Sequence, residues 1–146
     1  MKKYKIYTAG KMNGLSFEEQ MLWRVMLHKA ILSHEDVNVK VIHPPLYYNY
    51  EAKDNQSERE ILEWELFQLY DSDVMVVNLD EIDSTIGTHI EIGMAHTINN
   101  FTDKHIFIIG FGGDVENLHP WIKEACIRIE KNVEDVANYL YEYILL

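Results

Sequence analysis

Short apolar segments alternate with longer segments of helical periodicity along the whole chain, and this alternation is the strongest constraint on the fold. Segment 73–79, DVMVVNL, is continuously apolar, as is typical of a strand in the middle of a parallel sheet. The alternation predicts an α/β fold, a single domain over 1–146 with a five-stranded parallel sheet and helices on both faces. The predicted strands are 4–9, 37–45, 73–79, 104–111 and 126–130, and the predicted helices are 16–33, 57–72, one that ends near 99, and 132–146.

Two of the predicted helices begin with capping boxes, Ser16 with Glu19 and Ser57 with Glu60. A third helix, the terminal one, begins after a capping residue, Asn132. In 16–33, helical spacing runs through Phe17, Met21, Val25, His28 and Leu32. The segment 46–56 between the second strand and the next helix is predicted to be a loop.

Composition limits the compartment and the partners. The net charge of −11 disfavours binding to a nucleic-acid strand or an anionic membrane. A local pocket of backbone N–H groups can still hold one phosphate. The single cysteine, Cys126, allows no internal disulfide, and no segment approaches the ~20 apolar residues of a membrane span. We therefore expect a cytoplasmic protein, and because the histidines lack metal-ligand spacing, we expect no metal or cofactor.

Three segments follow predicted strands and should meet at the carboxyl edge of the sheet, where such folds bind ligands. They are TAGKMNG (8–14), NLDEIDSTIGT (78–88) and GFGGDVENLHP (110–120). The first either cradles an anion with its backbone N–H groups and Lys11 or is a plain tight turn. Asp80 and Asp83 in the second either bind sugar hydroxyls or protonate a leaving base, or they are turn formers.

Glu91 lies three residues after Thr88, which is the spacing of another capping box. From spacing alone, Glu91 either only caps the helix or lies in the first helical turn at the ligand edge, kept ionised by the helix dipole. An ionised carboxylate there can attack an electrophilic carbon, such as the sugar carbon of a glycoside. Tyr7, near the end of the first strand, is either a core residue or one that orients a carboxylate.

Three motifs in this order resemble the nucleoside 2-deoxyribosyltransferase family: KIYTAG (5–10), SDVMVVNL (72–79) and GTHIEIGMA (87–95). The resemblance covers roughly residues 4–110 and implies a flavodoxin-like fold. It also implies that Glu91 attacks the anomeric carbon and displaces the base, that Tyr7 orients this glutamate, and that a second base or water then takes the sugar. A further segment, ENLHPW, resembles one that family members lend to a neighbouring subunit. It implies a homodimer or higher homo-oligomer with Asn117 donated across the interface.

Two positions depart from the transferase pattern. Thr85 and Glu65 each stand where family transferases carry an aspartate, at positions that handle the sugar hydroxyls and the base. Related enzymes that hydrolyse deoxynucleoside 5′-monophosphates resemble this chain in having a hydroxyl residue at the Thr85 position and a glycine-bearing loop that meets the phosphate. By that resemblance Ser84, Thr85, Lys11 and Gly14 are a candidate phosphate pocket.

Three functions are therefore open: a nucleoside deoxyribosyltransferase, an N-hydrolase of 5′-monophosphates, and a nucleotide-binding module without turnover. In each, the partner is a small nucleoside or nucleotide and, for the transferase, a free nucleobase, not a nucleic-acid polymer or a membrane. The candidate catalytic residues are Glu91 and Tyr7. The candidate substrate-binding residues are Gly10, Lys11, Gly14, Glu65, Asp80, Asp83, Ser84, Thr85, Gly87 and Asn117.

Overall fold

The computed structural model describes residues 2–48 and 57–146, and in these ranges strands and helices alternate as predicted. The elements in chain order are β1 (Tyr4–Ala9), α1 (Phe17–Leu32), β2 (Val39–Ile42), α2 (Pro44–Tyr47), α3 (Glu58–Tyr70), β3 (Val74–Asn78), α4 (Ile86–Phe101), β4 (Phe107–Phe111), α5 (Pro120–Ala125), β5 (Arg128–Glu130) and α6 (Val133–Tyr143). Two short 3₁₀ turns, Ile82–Ser84 and Val115–Asn117, follow β3 and β4. No helix of the described residues is both long and apolar enough to cross a membrane.

The five strands form one parallel sheet in the order β2-β1-β3-β4-β5, which confirms the flavodoxin-like arrangement. The chain leaves β1 towards β2 and returns to β3 on the other side of β1. The carboxyl ends of β1 and β3 therefore form the switch point at which open α/β sheets bind ligands. The loops after these strands touch, since the Asn13 amide donates to Ser84 O at 3.4 Å and the Lys11 ammonium donates to Glu81 at 3.2 Å.

Helices cover both faces of the sheet, as predicted. The buried side chains of α1 and α6 pack in one apolar cluster, and those of α3, α4 and α5 pack in a second cluster. Ile6 belongs to the first cluster and Tyr7 to the second, because successive strand side chains point to opposite faces. Thr8 accordingly lies on the α1 side, where it accepts a hydrogen bond from Arg24.

The buried face of α1 is not the one suggested by the spacing of its apolar residues. The buried side chains are Gln20, Arg24, Leu27 and Ile31. Of the residues that carried the predicted spacing, Phe17, Val25 and Leu32 are exposed. The predicted residues and the buried residues both fit a period of 3.6. The hydropathy pattern did not reveal the buried face because half of its residues are polar.

The predicted start of α1 is confirmed, because Ser16 and Glu19 exchange both hydrogen bonds of a capping box at 3.1 Å. The side chain of Ser57 caps α3 by accepting from Glu60 N at 3.2 Å, and Asn132 caps α6.

The predicted end of the second strand is wrong. This strand ends at Ile42, and Pro44 and Pro45 begin α2, where the missing proline N–H groups leave no helical bond unmade. The predicted loop 46–56 is wrong at Leu46 and Tyr47, which belong to α2, and its residues 49–56 lie outside the described residues.

Candidate active site

A cleft of about 280 Å³ opens at the switch point, between the loop after β1 and helices α3 and α4. Gly10 and the following loop form one wall, α3 contributes Glu65, and the beginning of α4 contributes Thr85 and Glu91. The full lining consists of Gly10, Met12, Asn13, Tyr48, Glu58, Ile61, Glu65, Thr85, Gly87, Thr88 and Glu91. Five of the residues singled out from the sequence, Gly10, Glu65, Thr85, Gly87 and Glu91, are thus brought together.

Helix α4 begins earlier than predicted, and the proposed capping box at Thr88 is wrong. Thr85 occupies the N-cap position with extended backbone angles, and Thr88 is the third helical residue. The two threonine hydroxyls bond each other at 3.0 Å. Glu91 is consequently the sixth helical residue, in the second turn, where its carboxyl is not a cap and points to the sheet edge.

The Glu91 carboxyl is enclosed beside Tyr7. Glu91 is 9% exposed and Tyr7 is fully buried. Neither the Tyr7 hydroxyl nor Glu91 Oε2 has a hydrogen-bond partner among the described residues, yet each group shifts the pKa of the other. The two side chains therefore lie beside each other, and each has an oxygen with unused hydrogen-bonding capacity.

Burial reverses the expectation that Glu91 stays ionised. Burial and the nearby Glu65 carboxylate raise the pKa of Glu91 to about 8, although Tyr7 and Arg24 lower it in part. Burial likewise raises the pKa of Glu65 to about 7, against the opposing effect of Arg24. Because the two carboxyls interact, they titrate as a pair, and at neutral pH the pair holds about one proton.

Arg24 is the main contributor to this site that the sequence interpretation missed. Its side chain is fully buried and donates to Thr8 Oγ1 at 3.1 Å and to Gly10 O at 3.4 Å. The guanidinium also stacks on Trp23, 4.6 Å from the ring centroid. The signal in the sequence was its place four residues after Gln20 and three before Leu27, on the buried face of α1.

Tyr48 and Glu58 also line the cleft, and of these two only Glu58 carried no signal in the sequence. The Tyr48 hydroxyl donates to Glu58 at 2.9 Å and joins the end of α2 to the beginning of α3. Beside them, the ring of Tyr47 stacks on Trp64 with centroids 3.8 Å apart. Tyr48 is therefore the aromatic residue in the lining of the cleft, and its ring offers a face on which a flat heterocycle can pack.

The other predicted site residues surround the cleft without lining it. Asp80 holds the β4 loop, because its Oδ1 accepts from Gly113 N at 2.7 Å. Asp83, Ser84 and Asn117 line a neighbouring cavity of about 370 Å³. Lys11 is paired with Glu81, and Gly14 lies in the same loop with a positive φ of 76°.

A larger cavity, of about 410 Å³, lies between α4 and α5. Its lining includes His89, His96, His119 and Trp121. These imidazoles are not grouped for a metal ion, and the described part of the chain holds no cluster of three or more His, Cys, Asp or Glu that is. Glu65 and Glu91, the two carboxyls whose pKa is raised by burial, both lie in the smaller cleft.

The fold and this cleft together define a flavodoxin-like domain with a pair of carboxyls, the buried Glu91 and the half-buried Glu65, at its switch point. The chain belongs to the nucleoside 2-deoxyribosyltransferase-like family, whose model matches residues 3–107. No match was found among curated protein sequences.

Two solved structures share the fold. A 2-deoxyribosyltransferase from Bacillus psychrosaccharolyticus superposes with a TM-score of 0.67 at 18% identity, over 92% of this chain and 91% of that one. A conserved protein from Enterococcus faecalis V583 superposes with the same TM-score of 0.67 at 14% identity, over 98% of this chain and 100% of the other. At these identities the likeness extends to the fold.

Proposed function

We propose that this protein cleaves the N-glycosidic bond of 2′-deoxynucleosides and transfers the deoxyribose to another nucleobase. The observation that carries this proposal is the pairing of two partly protonated carboxyls, Glu65 and Glu91, in one cleft at the switch point. Breaking a glycosidic bond needs one carboxylate to attack the sugar and one acid to protonate the departing group. Membership of the deoxyribosyltransferase-like family supports the choice of sugar and base.

In the first step, ionised Glu91 attacks C1′ of the sugar. A C1′–O bond forms, the C1′–N bond breaks, and Glu65 gives its proton to the departing base. The product is a deoxyribosyl ester of Glu91, an ionised Glu65 and a neutral base. In the second step, a nitrogen of the new base attacks C1′, its proton goes to Glu65, and Glu91 leaves as a carboxylate.

The required state has Glu91 ionised and Glu65 protonated. The pKa of Glu91 lies about one unit above that of Glu65. This form is then the minor one of the singly protonated pair, and its free energy lies on the order of 1 kcal/mol above that of the major form. Positive charge that develops on the sugar increases this population during the reaction, because it favours the ionised Glu91.

Tyr7 is proposed to orient Glu91. Its buried hydroxyl lacks an acceptor in the described residues and faces Glu91. A small movement on substrate binding would let the hydroxyl donate to one carboxylate oxygen and leave the other free to attack.

A second candidate function is hydrolysis of deoxynucleoside 5′-monophosphates. It is favoured by Thr85, a neutral hydroxyl residue that lines the cleft, and by Lys11, whose ammonium lies beside the loop that contains Ser84. Binding of a phosphate there would separate Lys11 from Glu81. The carboxyls of Glu58 and Glu65 in the same cleft weigh against a dianion, and this is why transfer is the first proposal.

We also propose that the active protein is a homodimer or larger homo-oligomer in which Asn117 serves the partner's cleft. Asn117 is exposed and lies outside the cleft of its own chain, in a short 3₁₀ turn. Two large apolar side chains are unusually exposed, Trp121 four residues after Asn117 and Ile86 at the beginning of α4, both at 80%. Such a surface is typical of one that a partner covers.

One assay separates the candidate functions. The protein is incubated with a deoxynucleoside, or with its 5′-monophosphate, together with a second free base, and the products are separated by chromatography. Transfer gives a new nucleoside, whereas hydrolysis of the monophosphate gives free base and sugar phosphate. Saturable binding with no product in either mixture would overturn both proposals and leave a binding module.

The covalent step has its own measurement. A 2′-fluoro nucleoside slows release of the sugar, because fluorine destabilises the oxocarbenium-like transition state. Intact-protein mass spectrometry should show one added fluorosugar, and peptide mapping should locate it on Glu91. The Glu91→Gln variant should give no adduct, while Glu63→Gln, an exposed glutamate on α3, should react as the wild type does.

A further inference from the structure

The guanidinium of Arg24 is buried without a direct anionic partner. Its three nitrogens donate to Thr8 Oγ1, Gln20 O and Gly10 O, all of which are neutral acceptors. No carboxylate lies within ion-pair distance of it in the described residues. A buried charge of this kind is unfavourable unless an opposite charge lies near enough to compensate it.

The compensating charges lie on the other face of β1. Tyr7 and Thr8 are consecutive, so the cleft with Glu91 and the site of Arg24 are on opposite sides of the strand. Gly10 links the two sides, because its carbonyl accepts from Arg24 while the residue lines the cleft. Arg24 thus acts on the two carboxyls electrostatically across the strand and does not line the cleft.

We propose that Arg24 is a positioning residue that holds the Glu65–Glu91 pair at a single negative charge. This inference rests on the proposed function for its catalytic meaning. The pKa values agree with it: the guanidinium lowers those of both carboxyls, and burial lowers the pKa of Arg24 itself only to about 10, so it stays charged at neutral pH.

The charge of the cluster then stays constant through the reaction. In the reactive form that precedes attack, the anion that balances Arg24 is Glu91, and Glu65 holds the proton. After attack, Glu91 is a neutral ester and Glu65, having given its proton to the base, is the anion. One negative charge moves between two carboxyls within the field of a fixed positive charge, so the buried site never carries two anions or none.

A second set of contacts fixes Arg24 in place. The Thr8 hydroxyl donates to Ile42 O at 2.7 Å, so its oxygen is left to accept from Arg24 Nε. His43 Nδ1 lies 3.4 Å from the same oxygen, and its Nε2 lies 3.5 Å from His28 Nδ1. Burial, His28 and Arg24 lower the pKa of His43 to about 4, so His43 is neutral here and adds no second cation.

The test compares Arg24→Met, which removes the charge and keeps the bulk, with Arg24→Lys, which keeps a charge. The readout is a ¹³C NMR titration of the Glu65 and Glu91 carboxyls, assigned with Glu65→Gln and Glu91→Gln. Arg24→Met should raise the pH at which the pair loses its first proton by about 1 unit or more. In Arg24→Lys this pH should stay closer to the wild-type value. In Arg128→Met, a control on the far edge of the sheet, it should equal the wild-type value.

The same variants give a kinetic readout. If the proposed function holds, the acid limb of the kcat/KM pH profile should move upward in Arg24→Met by the shift that NMR measures. If the protein has no glycosyl-transfer activity, the proposed function fails while the NMR shift still decides the role of Arg24. Should Arg24→Met not fold, Thr8→Val keeps the guanidinium but removes its Nε acceptor, together with the hydroxyl's bond to Ile42 O, and should move the titration in the same direction. Unchanged carboxyl titrations in these variants would overturn the proposal.

Discussion

Glu65 on α3 and Glu91 on α4 line the same cleft, and no lysine or arginine of the described residues forms an ion pair with either one. The two carboxyls are therefore stabilised only by more distant groups, chiefly Arg24. An arrangement of this kind favours proton exchange over stability, because each carboxyl would be more stable in water or in an ion pair.

Glu91 should make the folded state less stable as the pH rises. Its pKa is raised in the folded state, so its contribution is fully present below the unfolded value of 4.5 and is lost as the pH rises through about 8. Glu91→Gln should therefore be more stable than the wild type at pH 9, by up to ~5 kcal/mol at ~1.4 kcal/mol per pKa unit, and much closer to it at pH 5. Urea unfolding at the two pH values measures this difference, and an equal difference at both would contradict it.

Removing the proton donor should affect the chemistry more than the fold. Glu65→Gln should lower kcat for cleavage by about 10²- to 10⁴-fold, the usual size of a general-acid contribution. It should also move the acid limb of the pH profile downward, because Glu91 loses its carboxylate neighbour. Glu65→Asp keeps the acid on a shorter side chain, and its kcat should lie between those of Glu65→Gln and the wild type.

Glu63→Gln is the matched control for this substitution, since Glu63 is an exposed glutamate on the same helix. Its pH profile should coincide with that of the wild type. A Glu65→Gln variant with normal kcat would show that another group protonates the base.

Much of the fold could be read from the sequence, because strand and helix patterns are local. DVMVVNL became the central β3, and Ser16, Ser57 and Asn132 cap the helices they were expected to cap. The beginning of α4 was misplaced because Thr85 and Thr88 are both acceptable caps, and only packing against the sheet decides between them. Arg24 escaped notice because a charged residue on a helix usually faces solvent, and its burial depends on contacts with β1 that no local pattern encodes.

Tyr7→Phe separates orientation from packing. The hydroxyl is buried without a partner in the described residues, so its removal should leave the free energy of unfolding unchanged or raise it by about 1 kcal/mol. Turnover should nevertheless fall, because Glu91 loses the group that selects one of its carboxylate oxygens. Thermal unfolding tests the expected stability and kcat tests the expected loss of turnover, both measured on the same preparation. Wild-type kcat would make Tyr7 a core residue only.

Two glycines should respond in opposite ways to replacement by alanine. Gly113 has a φ of 70°, and a Cβ there would lie 2.8 Å from the Leu79 carbonyl oxygen, so Gly113→Ala should destabilise the protein by about 1–3 kcal/mol. Gly93 lies inside α4 with nothing within 4 Å of such a Cβ, and Gly93→Ala should stabilise by about 0.5–1 kcal/mol. Thermal melts of both variants, recorded together, check the signs. A stable Gly113→Ala would mean that the loop joined to Asp80 can rearrange.

If Asn117 acts on a neighbouring subunit, two inactive variants should restore each other. Glu91→Gln and Asn117→Ala are each expected to be inactive, but a mixed dimer contains one cleft with both native residues. Refolding equal amounts together should recover roughly a quarter of wild-type activity, since half of randomly formed dimers are mixed and each has one complete site. Mixing Glu91→Gln with Asn138→Ala, an exposed asparagine on α6, provides the reference for a fully competent partner. Sedimentation shows whether dimers form. If a dimeric mixture recovers no activity, Asn117 either acts in the cleft of its own chain or takes no part in catalysis.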